Sequence, residues 1–201
     1  MKTNEIYVSN NGEGWDDVLA ETEKYANYQN LGHKQKIHIR LLAEELLGMV
    51  QSIAGSFNAY FWIEDDDESY HIHLKAQVNM DEAIREALLD TSTTGENASA
   101  KGIMGKLKDI FQLCLAGLND TVKLASPDYY GGFKSYEMGT YGSASIWSLS
   151  SYRENLQDES NYRETENWDE LEKSIIANIA DDVTVGIDND CVEMIITKNS
   201  K

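Results

Sequence analysis

Three sets of side chains in this sequence have types and spacing that could do chemistry. The first is in LAEELLGMV, residues 42–50, where Glu44 and Glu45 interrupt an apolar run and Met49 follows one turn after Glu45. Such a stretch is either a catalytic helix or an amphipathic core helix with a charged edge. The second is the pair His71 and His73 in SYHIHLKAQV, which an extended strand would project from one face. Two imidazoles so placed can begin a zinc site, but no third ligand accompanies them, and the ordinary reading is the wet face of a sheet. The third is the pair Cys114 and Cys191. They are far apart, form no CxxC and lack zinc spacing, so they read as small buried apolar residues. No metal is expected.

These groups must be positioned by elements that the hydrophobic pattern defines. Glu5 to Val8 is a short edge-strand candidate, followed by the turn-prone NNGEG. Trp15, Val18, Leu19, Thr22, Tyr25 and Ala26 recur at helical spacing up to about Gln29, and Gly32 stops that helix. A second helix runs from Lys34 to Ala54, with Ile39, Leu42, Leu46, Met49, Val50 and Ile53 on one stripe. Glu44 then points to solvent and Glu45 lies at the stripe's edge. Two alternating runs, Phe57 to Glu64 and Ser69 to Val78, flank the acidic turn DDDE and read as a β-hairpin. In the second run Tyr70, Ile72, Leu74, Ala76 and Val78 share the buried face, with His71, His73, Lys75 and Gln77 opposite.

Asp81 to Asp90 reads as a short helix, and Ile103 to Leu118 as a strongly amphipathic one. Residues 126–167 are the least legible: YGSASIWSLSSY carries a strand signal, while an ordered insertion and a mobile loop stay equally open. Trp168 to Ala180 is helical, and DVTVGI and CVEMIIT flank Asp188-Asn189-Asp190 as a second hairpin. The expected architecture is one domain over residues 1–201, an α/β two-layer sandwich with a mostly antiparallel sheet and helices on one face.

Within this frame, LGHKQKIHIRLLAEELLGMVQSI and SIIANIADDVTVGIDNDCVEMIITK resemble the histidine-kinase-like ATPase (GHKL) superfamily, nearest its bacterial anti-sigma-factor serine kinases. The likeness covers about half the chain, from the first helix to Val78 and from Trp168 onward. In that family a helix glutamate is the general base and an asparagine four residues later holds Mg²⁺; here Glu45 matches the base and Met49 replaces the asparagine. A thioether is a poor ligand for a cation that demands oxygen. The family's adenine-binding Asp-x-Gly-x-Gly is similar to KAQVNM, where Lys75 replaces the aspartate and Gln77 and Asn79 replace the glycines. An ammonium cannot accept a hydrogen bond, and side chains at the glycine positions block close backbone approach. The family's Gly-rich lid is echoed by Lys101, Gly102 and Gly105, next to a helix.

The resemblance implies a non-catalytic regulatory or protein-binding module that has lost its nucleotide site and takes no cofactor. The alternative is an ATP-binding serine kinase or ATPase using ATP and Mg²⁺ through a divergent site, with Lys101, Lys106 and Lys108 meeting the phosphates. Composition narrows the partners. With 41% hydrophobic and 26% charged residues the chain is an ordinary globular one, and its net charge of −18 disfavours nucleic acid and anionic membrane. A basic protein is the charge-compatible partner, and a homodimer stays open. No apolar run spans a bilayer and no leader is evident, which makes a cytoplasmic location the expectation. No Ser-His-Asp, Cys-His or Walker-type pattern suggests another enzyme class.

Overall fold

A computed structural model of the chain describes residues 1–53, 56–66, 68–79, 133–137, 143–158, 174–188 and 191–200. The first strand, β1 (Ile6–Ser9), leads through the NNGEG turn into α1 (Trp15–Tyr28). Gly14 sits at the start of α1 with φ 77°, and a Cβ there would meet the Tyr7 carbonyl oxygen at 1.9 Å. Only glycine fits that approach. A short turn, with Asn30 at φ 51°, reverses the chain into α2 (His33–Ile53).

The first hairpin is β2 (Ser56–Asp65) and β3 (Ser69–Asn79), in unbroken antiparallel register from Ser56 opposite Asn79 to Asp65 opposite Tyr70. Its turn is tied by Asp66, whose Oδ1 accepts from the backbone N–H groups of Glu68 at 2.9 Å and Ser69 at 2.7 Å. That is the local bonding for which aspartate is favoured in turns. The second hairpin is β6 (Asp182–Asp188) and β7 (Cys191–Asn199). Between them come β4 (Phe133–Glu137), β5 (Ser143–Ser148), α3 (Leu149–Asp158) and α4 (Ile175–Ile179).

The strands form one seven-stranded open sheet in the order β1-β2-β3-β7-β6-β5-β4, and every neighbouring pair is antiparallel. An α/β fold with an antiparallel sheet is therefore what the patterning foretold. The region from 126 to 167, unresolved between strand, insertion and loop by pattern alone, supplies two strands and a helix of that fold. The expected helices over 81–90 and 103–118, and residues 168–173 of the closing one, lie outside the described residues. Ser174 caps α4 by accepting from the Ala177 N–H at 3.2 Å.

One cluster forms the core. It joins Val18, Tyr25 and Ala26 of α1, Leu42, Leu46, Met49 and Val50 of α2, and Leu149, Tyr152 and Ile176 of α3 and α4 to the alternate residues of the strands. The side chains of β2 and β3 that face it are Phe57, Ala59, Phe61, Ile63, Tyr70, Ile72, Leu74, Ala76 and Val78, all buried. The helices thus lie on one face of the sheet, called inner below; the other is outer.

Candidate functional site

On α2 the two glutamates part as the helical stripe requires. Glu44 is exposed and accepts from Arg40 Nε at 3.0 Å, an i, i+4 pair on the solvent side. Glu45 is half-buried at the edge of the stripe. Met49, one turn on, is 0% exposed and belongs to the core cluster with Leu42, Leu46 and Val50. At the position where the resemblance calls for a metal-binding amide, the chain packs a thioether among apolar side chains.

Lys75 and Gln77 are exposed on the outer face of β3. Lys75 stands opposite Tyr60 on β2 and Glu193 on β7. Since α2 packs on the inner face, the sheet itself lies between Lys75 and Met49, and the fold does not bring them together. Moving the alignment by one residue would not help. The inner face of β3 carries only Tyr70, Ile72, Leu74, Ala76 and Val78, none of which is a carboxylate able to accept from an adenine amino group. Asn79 ends β3 opposite Ser56. Lys101, Gly102, Gly105, Lys106 and Lys108 lie outside the described residues.

The histidine pair sits on the outer face in two separate networks. His73 stacks on its cross-strand neighbour Trp62, with ring centroids 4.7 Å apart and planes within 8°. Lys2 Nζ covers the Trp62 ring at 4.7 Å and meets Glu64 at 3.3 Å, while Trp62 Nε1 donates to Glu64 at 3.0 Å. Both ring nitrogens of His73 are buried without a hydrogen-bond partner among the described residues. Burial holds its pKa below the usual histidine range, although Glu64, 3.9 Å from Nε2, pulls the other way. His71 instead contacts Thr197 Oγ1 at 3.1 Å and Ser69 Oγ at 3.2 Å, with Asp66 at 3.5 Å. No group of three or more His, Cys, Asp or Glu among the described residues has metal-binding geometry. Cys191 is half-buried and stands opposite Gln77 in the sheet register; Cys114 lies outside the described residues.

A fourth feature escaped the pattern reading, which took DDDE only as a turn. Where the end of α1 meets the β2–β3 turn there is a polar cavity of about 460 Å³, lined in part by Tyr25, Gln29, Asp65, Asp66 and Tyr70. Asp65 Oδ2 accepts from the Tyr25 hydroxyl at 3.0 Å and from Gln29 Nε2, and Oδ1 meets the Met1 amino group. Burial, then Asp65, raises the Tyr25 pKa far above the ordinary phenol range, and burial pushes Tyr70 up to about 12. The backbone N–H groups of Glu68 and Ser69 hold Asp66 down at about 2, so it is ionised at any physiological pH.

No protein-family model matches this chain, and neither the curated proteins nor the solved structures give a significant match.

Proposed function

We propose that this chain is a non-catalytic regulatory or protein-binding module on a histidine-kinase-like ATPase scaffold, one whose nucleotide site has been lost. The observation that carries the reading is Met49. Its side chain is fully buried in the core one turn after Glu45, so the position that would hold Mg²⁺ offers a soft sulfur among hydrocarbon. Lys75 and Gln77, on the far side of the sheet, support it further, because a donor-only ammonium outside the helix layer cannot read adenine. Glu45 is then a helix-edge carboxylate without a metal or phosphate to act on. Net charge of −18 makes a basic protein the partner that long-range attraction would favour.

The test is nucleotide binding. Mg-ATP and ADP, titrated at millimolar concentration with calorimetry and thermal-shift detection, should leave the melting temperature unchanged. A micromolar site at a thousandfold excess would contribute about 4 kcal/mol and move the melting temperature by several degrees. A saturable shift of that size would overturn the reading in favour of a divergent ATPase.

A further inference from the structure

On the outer face one indole ring and one carboxylate lie against two basic side chains. Lys2 Nζ is 4.7 Å from the centroid of the Trp62 ring and 3.3 Å from Glu64 Oε1. Trp62 Nε1 donates to that same oxygen at 3.0 Å. His73 stacks on the ring, and its Nε2 stands 3.9 Å from the other Glu64 oxygen, beyond hydrogen-bond reach. Both of its nitrogens are shut off from solvent and have no partner among the described residues. A neutral imidazole can stay there at the cost of unmade hydrogen bonds. An imidazolium cannot, because a buried charge needs a counter-charge beside it.

Lys2 belongs to the segment ahead of β1, which runs along the edge of β2. Thr3 N–H donates to the Ile63 carbonyl and Ile63 N–H to Thr3 Oγ1, both at 2.9 Å. Asp65 N–H donates to the Met1 carbonyl at 2.9 Å, and Lys2 stands opposite Glu64 between these bonds. The charged and titratable groups that face His73 are Glu64 from β2, Lys2 from this segment, Glu193 from β7, and its strand neighbours His71 and Lys75. Of the two carboxylates, Glu64 acts on it more strongly than Glu193.

We infer that His73 is a proton-operated latch on the segment ahead of β1. An imidazolium at this position draws Glu64 away from Lys2 and Trp62, and so loosens residues 1–3 from the edge of β2. The new charge also repels the Lys2 ammonium across the same indole. Neutral His73 leaves Glu64 to Lys2, which fastens the segment; acid slackens it. Slackening bares the edge hydrogen-bonding groups of Ile63 and Asp65, the kind with which another strand pairs. The latch does not depend on the binding-module reading and can fail without it.

The full ¹⁵N-labelled chain is titrated by NMR from about pH 7.5 to about pH 5, where histidines take up protons and Glu64 stays ionised. The His73 ring signals should titrate in this window, and the Trp62 indole N–H signal should move with the same midpoint. Amide exchange at Thr3, Ile63 and Asp65, measured relative to Leu74 to cancel the intrinsic effect of pH, should quicken about tenfold across the step. Coupling is reciprocal, so Lys2→Ala should ease protonation of His73 about tenfold, seen as a higher midpoint. Lys2 is exposed, and this variant keeps the test independent of any buried substitution. Glu64→Gln should lower the midpoint and abolish the coupling, while Glu193→Gln should leave the coupling in place. His73→Phe keeps a ring on Trp62 and should hold the segment fast throughout. The latch is overturned if His73 does not titrate above about pH 5, or if Lys2→Ala leaves its midpoint unmoved. A Trp62 step that survives in His73→Phe, exchange at Thr3 and Ile63 that ignores the step, or coupling that follows Glu193 instead of Glu64 would equally overturn it.

Discussion

The two faces of this sheet are made from the same strands and have almost nothing chemical in common. The inner face of β2, β3 and β7 presents Phe57, Phe61, Ile63, Ile72, Leu74, Val192, Met194 and Ile196, all buried, with the ionisable Tyr70 at the turn end of β3. One residue along each strand, the outer face presents Tyr60, Trp62, His71, His73, Lys75 and Glu193. Period two sorts the side chains, and the helices settle which set is buried. A site that needs charge has therefore only the outer face or the ends of the sheet to occupy. The space between α2 and the sheet is filled by hydrocarbon, Met49 included.

Substitutions one residue apart on β2 put this contrast to its strongest test. Phe61→Ala, at 0% exposure, should cost about 3–5 kcal/mol in urea unfolding, because the core cannot collapse onto the space a phenyl ring leaves. A loss under 1 kcal/mol would mean the inner face is not the packed side. A smaller effect is expected at His73, whose ring nitrogens are buried on the outer face with no hydrogen-bond partner among the described residues. His73→Phe keeps a ring against Trp62 and removes two buried, unpaired nitrogens, so stability should rise by about 1–2 kcal/mol.

The pH dependence of the same residue sharpens the point. His73 has a lowered pKa in the fold, so below about pH 6.5 the unfolded chain takes up a proton that the folded one refuses. Stability should therefore fall as pH drops from about 7 to about 5, and the fall should flatten in His73→Phe; an unchanged slope would show that another group controls it. The smallest effect belongs to Tyr60→Ala. With the side chain 51% exposed, the change should stay within about 1 kcal/mol, and a core-sized loss would reveal that something covers the outer face.

How legible this was in the sequence follows from the range of the interactions involved. The stripe of α2 and the alternation of β3 are local repeats, and Met49 and Lys75 could be placed on their sides by counting. β5 left only a strand signal beside the other readings of its region, and α3 could not be read in this way. SIWSLSSY buries Trp147, Leu149, Ser151 and Tyr152 at a strand-to-helix switch where no single period persists, and its serines turn inward to one another and to Asp182. The cavity was invisible for a different reason. Tyr25 and Asp65 are 40 residues apart, and only the docking of α1 on the first hairpin makes them partners.

The pairing of β3 with β7 has a consequence in time as well as space. His71 and Thr197 touch across a sequence separation of 126 residues, so the middle of the sheet cannot close until nearly all the described chain has been made. At ribosomal speeds of roughly 5–20 residues per second, the β1-β2-β3 unit with α1 and α2 would wait several seconds with one flank of β3 bare. During that interval a long, unpaired strand with Ile72, Leu74 and Val78 on one side is a template for the wrong neighbour. Its other side carries His71, His73 and Lys75, polar groups that oppose such mispairing while the chain waits for its own last strand.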